Sequence, residues 1–234
     1  MVQFTIILLR YKTLSLVALC MLLLPHAVWA QVKGEIEVVK LPSPSKNGQI
    51  SVEAALLKRR SARFFKDIPL SLQAVSQLLW AAQGITDKRG FRTAPSAGAL
   101  YPLELYLFAG EVEGLASGIY HYRVKDHALL PVTEGDYRET LCRAALRQDS
   151  ICRAPTVFLI AAVPERTTGK YGERGVRYIH MEAGHTAQNV LLQAEALNLG
   201  SVVIGAFADH EVSKLLKMEN GIVPLSIIPV GKTQ

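Results

Sequence analysis

We predict an α+β fold from the order of the periodic segments and from the size of the chain. Helical patterns come first, strand-like runs follow, one long helix comes next, and further strand-like runs lead to the C-terminus. This order contains no repeated strand–helix–strand unit, the pattern that characterises α/β folds. The chain has 234 residues and 50% of them are hydrophobic, which is enough to bury one sizeable core.

The first 30 residues have the composition of a secretory signal peptide. Arg10 and Lys12 precede an apolar run at residues 14–24, in which Ser15 is the one polar residue, and a small-residue exit follows at residues 27–30. This order predicts removal of residues 1–30 and export to the periplasm or the extracellular space. The alternative is an uncleaved membrane anchor, although a spanning helix needs about 20 apolar residues and the two cations interrupt such a run.

Residues 31–49 are predicted to form a linker before the folded domain. Charged residues alternate there with small apolar ones, and a Pro-Ser-Pro-Ser run at residues 42–45 precedes an Asn47-Gly48 pair. Such residues discourage regular structure. We therefore place the domain at residues 50–234.

Helix start and stop signals follow this linker. Ser51 precedes the apolar period of Val52 and Ala55, and Ser71 precedes a second period that stops at Gly84. A serine side chain accepts a hydrogen bond from a free amide at a helix start. Later helices are predicted at residues 137–147, 178–199 and 209–218, the last one capped by Asp209. Strands are predicted at residues 103–108, 119–124, 156–163, 202–207 and 224–230.

Glu182, His185 and Asn189 form a polar stripe along the long predicted helix, because residues three and four apart share one helix face. Such a stripe is either a satisfied polar seam between helices or part of a binding site. The sequence leaves both interpretations open.

Two cysteines, Cys142 and Cys152, remain once the leader is removed. They can form a disulfide in an oxidising compartment, but cysteines in a domain of this size are also commonly free and buried. No grouping of histidines and cysteines has the spacing of a zinc site. We predict no metal site.

The stretch Lys58-Arg59-Arg60-Ser61-Ala62-Arg63 gathers four cations and a hydroxyl at the predicted end of the first helix. Guanidinium and hydroxyl donors match the oxygens of a phosphate. The competing interpretation is a helix end whose cations complement the helix dipole. The net charge is +6, but the basic residues are scattered among acidic ones. We therefore expect an anionic small ligand and no nucleic-acid binding.

Two segments of small residues indicate close approach of the backbone to a ligand. Residues 94–102 are Ala-Pro-Ser-Ala-Gly-Ala-Leu-Tyr-Pro, and residues 205–207 are Gly-Ala-Phe after an apolar run. Small side chains let backbone N–H groups approach a flat or charged molecule. Together with the basic stretch, these segments predict a cofactor with a planar ring and a single phosphate.

The order of these motifs resembles that of the nitroreductase superfamily, over residue 50 to the C-terminus. The motifs are Arg59-Arg60-Ser61-Ala62-Arg63, Pro95-Ser96-Ala97, Ala154-Pro155, Gly184-His185-Thr186-Ala187-Gln188-Asn189, Ile204-Gly205-Ala206-Phe207 and Pro229-Val230-Gly231-Lys232. Residues 95–102 and 170–174 resemble the SagB-type branch, named for azoline dehydrogenases. The resemblance implies a three-layer α+β sandwich with an antiparallel or mixed sheet flanked by helices and a long central helix. It also implies a homodimer with FMN at the interface.

The resemblance further implies which residues contact the cofactor. The set is Arg59, Arg60, Ser61, Arg63, Pro95, Ser96, Ala97, Gln148, Gln188, Gly205, Ala206 and Lys232. The cations and Ser61 would hold the phosphate and ribityl chain, and residues 95–97 would line the ring from the partner subunit. The backbone of residues 205–206 would meet the ring near N5 and O4, and the glutamines are candidates for its edge.

Lys170 and Tyr171 are the catalytic candidates that the SagB-type resemblance implies, because a Lys-Tyr pair there is associated with proton abstraction while the flavin accepts hydride. The alternative is a flexible surface loop. Ala99 replaces the asparagine usual in plain nitroreductases, which weakens a prediction of nitroaromatic reduction. The expected function is FMN-dependent hydride transfer with a small organic substrate, with NADH or NADPH as a candidate electron donor. The alternative is a non-catalytic flavin-binding sensor or carrier.

Overall fold

A computed structural model describes residues 37–216 and 221–233, and the contacts place Glu37 at the start of the compact domain. The predicted signal peptide at residues 1–30 lies outside the described residues. Within the described ranges, none of the helices combines the length and the apolar character needed to span a bilayer.

The strands form one large antiparallel sheet and a small parallel pair. Their bounds are β1 Val39–Lys40, β2 Leu70–Ser71, β3 Leu103–Ala109, β4 Val112–Glu113, β5 Gly118–Arg123, β6 Ala128–Glu134, β7 Thr156–Ala162, β8 Gly200–Ser201 and β9 Val223–Gly231. Seven strands pair in the order β1-β6-β5-β3-β7-β9-β8, and β2 pairs with β4. Every pairing in the large sheet is antiparallel.

The helices have the N-caps that the sequence predicts, with one exception. Their bounds are α1 Val52–Lys58, α2 Leu72–Gln83, α3 Arg138–Ala144, α4 Asp149–Arg153, α5 Glu165–Tyr171, α6 Arg174–Ala196 and α7 Asp209–Leu215. The Ser51 and Ser71 hydroxyls accept hydrogen bonds from the amides of Ala54 and Ala74, as expected of N-caps. The exception is Asp209, which lies in the first turn of α7 while Ala208 is the N-cap.

The fold is a three-layer sandwich, because alternate residues of the central strands enter two separate cores. Leu105 and Leu107 of β3 join the core beneath α2 and α6. Tyr106 and Phe108 of the same strand join the core beneath α3, α4 and α7. β7 alternates in the same way, and all of its residues are buried. The predicted α+β class and layer arrangement are confirmed.

Part of the segment predicted as a linker at residues 31–49 is ordered against the domain. Val39 and Lys40 pair with β6, and Leu41 is buried. The Pro42 carbonyl accepts a hydrogen bond of 2.5 Å from the Ser76 hydroxyl and lies 3.1 Å from Nε2 of His127. These distant partners order the segment, which its local composition could not reveal.

The long helix α6 runs from residue 174 to 196 rather than over residues 178–199. It buries one face, formed by Gly175, Ile179, Glu182, Ala183, Thr186, Ala187, Val190, Leu191 and Ala194. The opposite face is exposed, so the helix covers the sheet as an outer layer.

Cys142 of α3 and Cys152 of α4 form a disulfide with a Cα–Cα distance of 5.4 Å. This resolves the alternative that the sequence left open. The bridge closes the loop that carries Gln148. Glu139, Cys142 and Cys152 lie close enough together to hold a metal ion, but the disulfide uses both sulfurs.

We expect His127→Gln to weaken the attachment of residues 39–45. The Tyr122 hydroxyl lies 2.8 Å from Nδ1 of His127, and Nε2 lies 2.7 Å from the Ser76 hydroxyl. Loss of a buried polar network costs about 1–3 kcal/mol, which urea unfolding at pH 8 would measure.

The pH dependence gives a second readout of the same variant. Burial lowers the pKa of His127 from 6.5, so on acidification the unfolded chain binds a proton at a higher pH than the folded chain does. The free energy of unfolding of the wild type should therefore decrease as the pH falls below about 6.5, towards the folded-state pKa. His127→Gln should lose this decrease, whereas the control His210→Gln, at an exposed position in α7, should keep it.

Candidate functional site

The basic stretch is held by its backbone along the end of the sheet. Ser61 bridges to Ser201 of β8, and the Ala62 amide donates to the Ser201 carbonyl over 3.0 Å. Further along, the Lys66 amide donates to the Lys232 carbonyl over 2.8 Å. This pairing brings the stretch beside the C-terminal end of β9, where Lys232 follows the strand.

A glycine makes this close pairing possible. A Cβ atom on Gly200 would lie 2.3 Å from a Thr233 side-chain atom and 2.5 Å from the Ala62 Cβ, which real contacts do not allow. Any larger residue at Gly200 would push the basic stretch or the C-terminal segment away.

The cations of the stretch differ in their partners. Nη1 of Arg60 donates to the carbonyls of Leu57 and Arg59 at the end of α1. This is the helix-end role that the sequence offered as an alternative, so the guanidinium of Arg60 is already engaged. The side chains of Arg59, Arg63 and Lys232 have no hydrogen-bond or ion-pair partner within residues 37–216 and 221–233. They remain available to an anion.

The loop at residues 95–101 meets the Lys170-Tyr171 pair. Gly98 has φ of +62°, and a Cβ there would lie 2.8 Å from the Tyr171 hydroxyl oxygen and 3.2 Å from Nζ of Lys170. The Ser96 hydroxyl accepts a hydrogen bond of 2.9 Å from the Tyr101 amide, which fixes the loop. Two motifs that are more than 70 positions apart in sequence thus converge.

Lys170 and Tyr171 belong to the last turn of α5, so the surface-loop alternative is wrong. The Lys170 ammonium lies 5.4 Å from the Tyr171 ring centroid. The Tyr171 ring packs edge-on against Tyr178 of α6 at 5.2 Å. Lys170 is exposed, and Tyr171 is half-buried.

An ion-pair network that the sequence analysis missed holds α5 in place. Glu104 of β3 accepts from Arg166 of α5 over 2.5 Å and lies 2.6 Å from Nε2 of His121. Arg166 also donates to the Tyr101 carbonyl over 3.2 Å. One guanidinium therefore ties the sheet, the loop and the helix of the Lys-Tyr pair together. An acid inside an otherwise apolar strand was the available signal.

The electrostatics of this network favour ionised Glu104. Burial raises the pKa of Glu104, but the His121 hydrogen bond and the Arg166 charge outweigh burial, so its pKa lies below 4.5. The carboxylate is therefore a fixed negative charge behind the site at neutral pH.

The Gly205-Ala206 segment forms an open platform beside Gln148. Nε2 of Gln148 donates to the carbonyls of Ala145 and Ala206, each over 3.0 Å. Both hydrogens of this amide are thus used by the protein, and Gln148 shapes the platform. Gly205 and Ala206 are exposed, and a Cβ on Gly205 would meet no atom within 4 Å.

The polar stripe of α6 has three different environments. Glu182 is buried, His185 is exposed, and Asn189 donates to the Thr93 carbonyl over 3.3 Å. Gln188 points from the exposed part of the same helix and has no hydrogen bond within the ranges described. The described residues thus bring together the basic stretch with Lys232, residues 95–97 with the Lys-Tyr pair, and Gln148 with Gly205-Ala206.

Comparison with known proteins places these features in a family context. A model described as the Nitroreductase family matches residues 56–232. A Methanocaldococcus jannaschii protein named as a nitroreductase, MJ1384, is 45% identical over 199 residues, which are 85% of this chain and 98% of that protein. The Microcin B17-processing protein McbC of Escherichia coli is 30% identical over 166 residues, which are 68% of this chain and 61% of McbC.

Solved structures support the same relationship. A nitroreductase structure from Ralstonia eutropha superposes with a TM-score of 0.75 and 26% identity, covering 88% of this chain and 93% of that one. The E. coli microcin synthetase McbBCD complex superposes with a TM-score of 0.69 and 26% identity, covering 86% of this chain and 79% of that one.

We expect Gly98→Ala to separate the loop from the Lys-Tyr pair. The new methyl group both strains a positive φ and collides with Tyr171, so the free energy of unfolding should fall by about 1–3 kcal/mol. Gly90→Ala is the matched control, because Gly90 has φ of +88° and no atom within 4 Å of its Cβ position. A Gly98→Ala loss no larger than that of the control would contradict the contact.

Arg166→Met should destabilise the protein by about 1–3 kcal/mol, because it leaves the half-buried Glu104 without its cation. The exposed Arg143–Glu139 pair is the control, and Glu139→Gln should change stability by about 0.5 kcal/mol or less. The contribution of ionised Glu104 is present above about pH 4.5 and is lost as the pH falls through its lowered pKa. Urea unfolding of Glu104→Gln should therefore show a weaker acid dependence than the wild type.

Proposed function

The chain belongs to the Nitroreductase family, and on that premise we propose that it is an FMN-dependent oxidoreductase that moves hydride between a small organic substrate and the flavin. The similarity to McbC and to the McbBCD structure confirms the SagB-type resemblance. The family and the fold support an oxidoreductase. The flavin, the substrate and the residues that serve them are our proposal.

The observation that carries this proposal is the group of unpartnered cations at the end of the sheet. Arg59 and Arg63 lie in a stretch whose backbone is bonded beside Lys232, and none of the three side chains has a partner in the described ranges. Cations that repel one another are brought together when an anion compensates them, and guanidinium forks suit phosphate oxygens. In this proposal Arg59, Ser61, Arg63 and Lys232 hold the FMN phosphate. Arg60 supports them by fixing the end of α1.

The exposed backbone platform fits the flat ring of the same cofactor. Gly205 leaves open space where a side chain would stand, and Gln148 holds the Ala206 carbonyl from behind. Residues 95–97 supply a second small-residue wall, which in the proposed homodimer serves the ring of the partner subunit. FMN, when bound, supplies the hydride chemistry, and the chain supplies binding, orientation and local electrostatics.

We assign proton transfer to the Lys170-Tyr171 pair. Both side chains reach Gly98 in the middle of the small-residue loop, so they face the place where a substrate would lie against the ring. A lysine acts as a base only where its surroundings favour the neutral amine, and closure by a partner subunit would remove the water around exposed Lys170. Tyr171 would hold the substrate or relay the proton through its hydroxyl. NADH or NADPH remains the proposed electron donor.

We also propose that the protein is exported. The Cys142–Cys152 disulfide supports an oxidising compartment, where such bonds persist. Fractionation of cells that express the chain with and without residues 1–30 tests this. Retention of the full-length chain in the cytoplasm would overturn it, and recovery in membranes would favour the anchor alternative.

Loss of the phosphate contacts should release FMN. In Arg59→Ala and in Arg63→Ala, the dissociation constant of FMN should rise about tenfold, because each change removes a charge-assisted hydrogen bond. Fluorescence titration and the absorption spectrum of the purified protein measure it. Arg89→Ala is the control, because its guanidinium is exposed and already paired with Asp87.

Three results would separate the proposed function from its alternatives. A wild-type protein that is colourless and cannot be reconstituted with FMN would overturn the cofactor assignment. Unchanged FMN affinity in the Arg59 and Arg63 variants would overturn the phosphate site. Bound flavin that neither NADH nor NADPH reduces in stopped-flow experiments, with no acceptor turned over, would favour the non-catalytic carrier.

A further inference from the structure

Glu182 of α6 is a buried acid that none of the roles above uses. The residue is 2% exposed, and its Oε1 atom is buried without a hydrogen-bond partner in the described ranges. The Ser96 hydroxyl and Gln83 interact with the same carboxyl group. An unpaired polar atom in a protein interior destabilises the fold, so a binding partner that is not part of this chain is the simplest compensation.

Glu182 is one of the residues that line a cavity of about 240 Å³. The walls are residues 95–97 on one side and Tyr178, Met181 and His185 of α6 on the other. Met181 is 53% exposed, so the cavity opens at the surface. We call it the α6 cavity. Its proline, alanine and tyrosine walls suit a flat group, and its one buried acid gives that group an orientation.

The surrounding charges select the chemistry of the ligand. Burial raises the pKa of Glu182, while the Ser96 hydroxyl, the Arg92 charge and Gln83 oppose the rise. Arg92 is itself held by a 3.0 Å hydrogen bond to Gln83 and lies over the Tyr101 ring. An anion would be repelled by the carboxylate, and a cation would gain less from the carboxylate because the Arg92 charge already partly compensates it. A neutral group that donates a hydrogen bond is subject to neither limitation.

We propose that the α6 cavity binds a neutral N–H donor carried by a planar group, with Oε1 of Glu182 as its acceptor. Two sources share this chemistry. One is the ring imide of the proposed FMN, and this source rests on the proposed function. The other is an amide of the substrate, which needs only the cavity.

Glu182→Met is the variant that tests the proposal, because it removes the acceptor while keeping an unbranched side chain of similar length. The unfolding midpoint of the ligand-free variant should rise above that of the wild type at pH 8, since a buried carboxyl group with one unpaired oxygen is gone. This gain should shrink towards pH 4.5, because the raised pKa penalises the folded state only where the unfolded chain is ionised. The affinity of the variant for a ligand of the cavity should fall, in contrast to its stability.

Two probes measure binding, FMN and benzamide, with N,N-dimethylbenzamide as the matched molecule that lacks the N–H group. In Glu182→Met, the affinity for FMN or for benzamide should fall about tenfold, the loss expected for one hydrogen bond to a charged acceptor. Glu182→Gln keeps a carbonyl acceptor and should retain most of the affinity. Met181→Leu keeps the apolar wall of the cavity, so this variant should bind both probes as the wild type does.

The outcomes distinguish the sources. A loss confined to FMN identifies the flavin imide, and a loss confined to benzamide, with its preference over N,N-dimethylbenzamide abolished, identifies a substrate amide. Unchanged affinity for both probes overturns the proposal. If the wild type binds no FMN, the proposed function fails, whereas the benzamide arm still decides the cavity. If Glu182→Met does not fold, NMR of the wild type tests the proposal instead. The Met181 methyl signal, assigned by comparison with Met181→Leu, must then shift with benzamide and not with its dimethyl analogue.

Discussion

The burial of both sheet faces is the constraint on which the rest of this structure depends. The central strands β3 and β7 send alternate residues into two cores, and each core needs its own layer of helices. No polar ligand can then reach the strands from above or below. Ligand-binding groups are therefore expected at the ends of strands, in the loops between layers and on the helices, where the candidate sites lie.

The ligand-facing residues of these sites are positioned mostly by groups that do not themselves face a ligand. The Ser201 and Lys232 carbonyls hold the basic stretch, and Gln148 holds the Ala206 carbonyl. Glu104 and Arg166 hold the helix that ends in Lys170 and Tyr171. Each ligand-facing group is thus supported by a bond to the rigid sheet or to the helix beside it, as preorganised sites require.

Local signals in the sequence predicted the local structure. The serine caps of α1 and α2 are correct because an N-cap depends on neighbours three residues away, and the buried run of β7 is correct because apolar composition decides it. The order of residues 39–45 was not predicted, because their partners Ser76 and His127 lie far along the chain. The resemblance implied roles for residues 95–97 and for the Lys170-Tyr171 pair, but the contact of Gly98 with Tyr171 and the Arg166 network join distant segments and were not predicted.

Because the basic stretch is attached through its backbone, the position of the anion site does not depend on the side chains that select the anion. A main-chain hydrogen bond to Ser201 of β8, and a second one just beyond the stretch from Lys66 to Lys232, fix its path whatever side chains it carries, provided that Gly200 leaves room. Arg59, Arg63 and Lys232 can therefore be exchanged without displacing the frame that presents them. An evolving or engineered chain could change its preferred anion here by a few surface substitutions, with the core and the sheet register untouched.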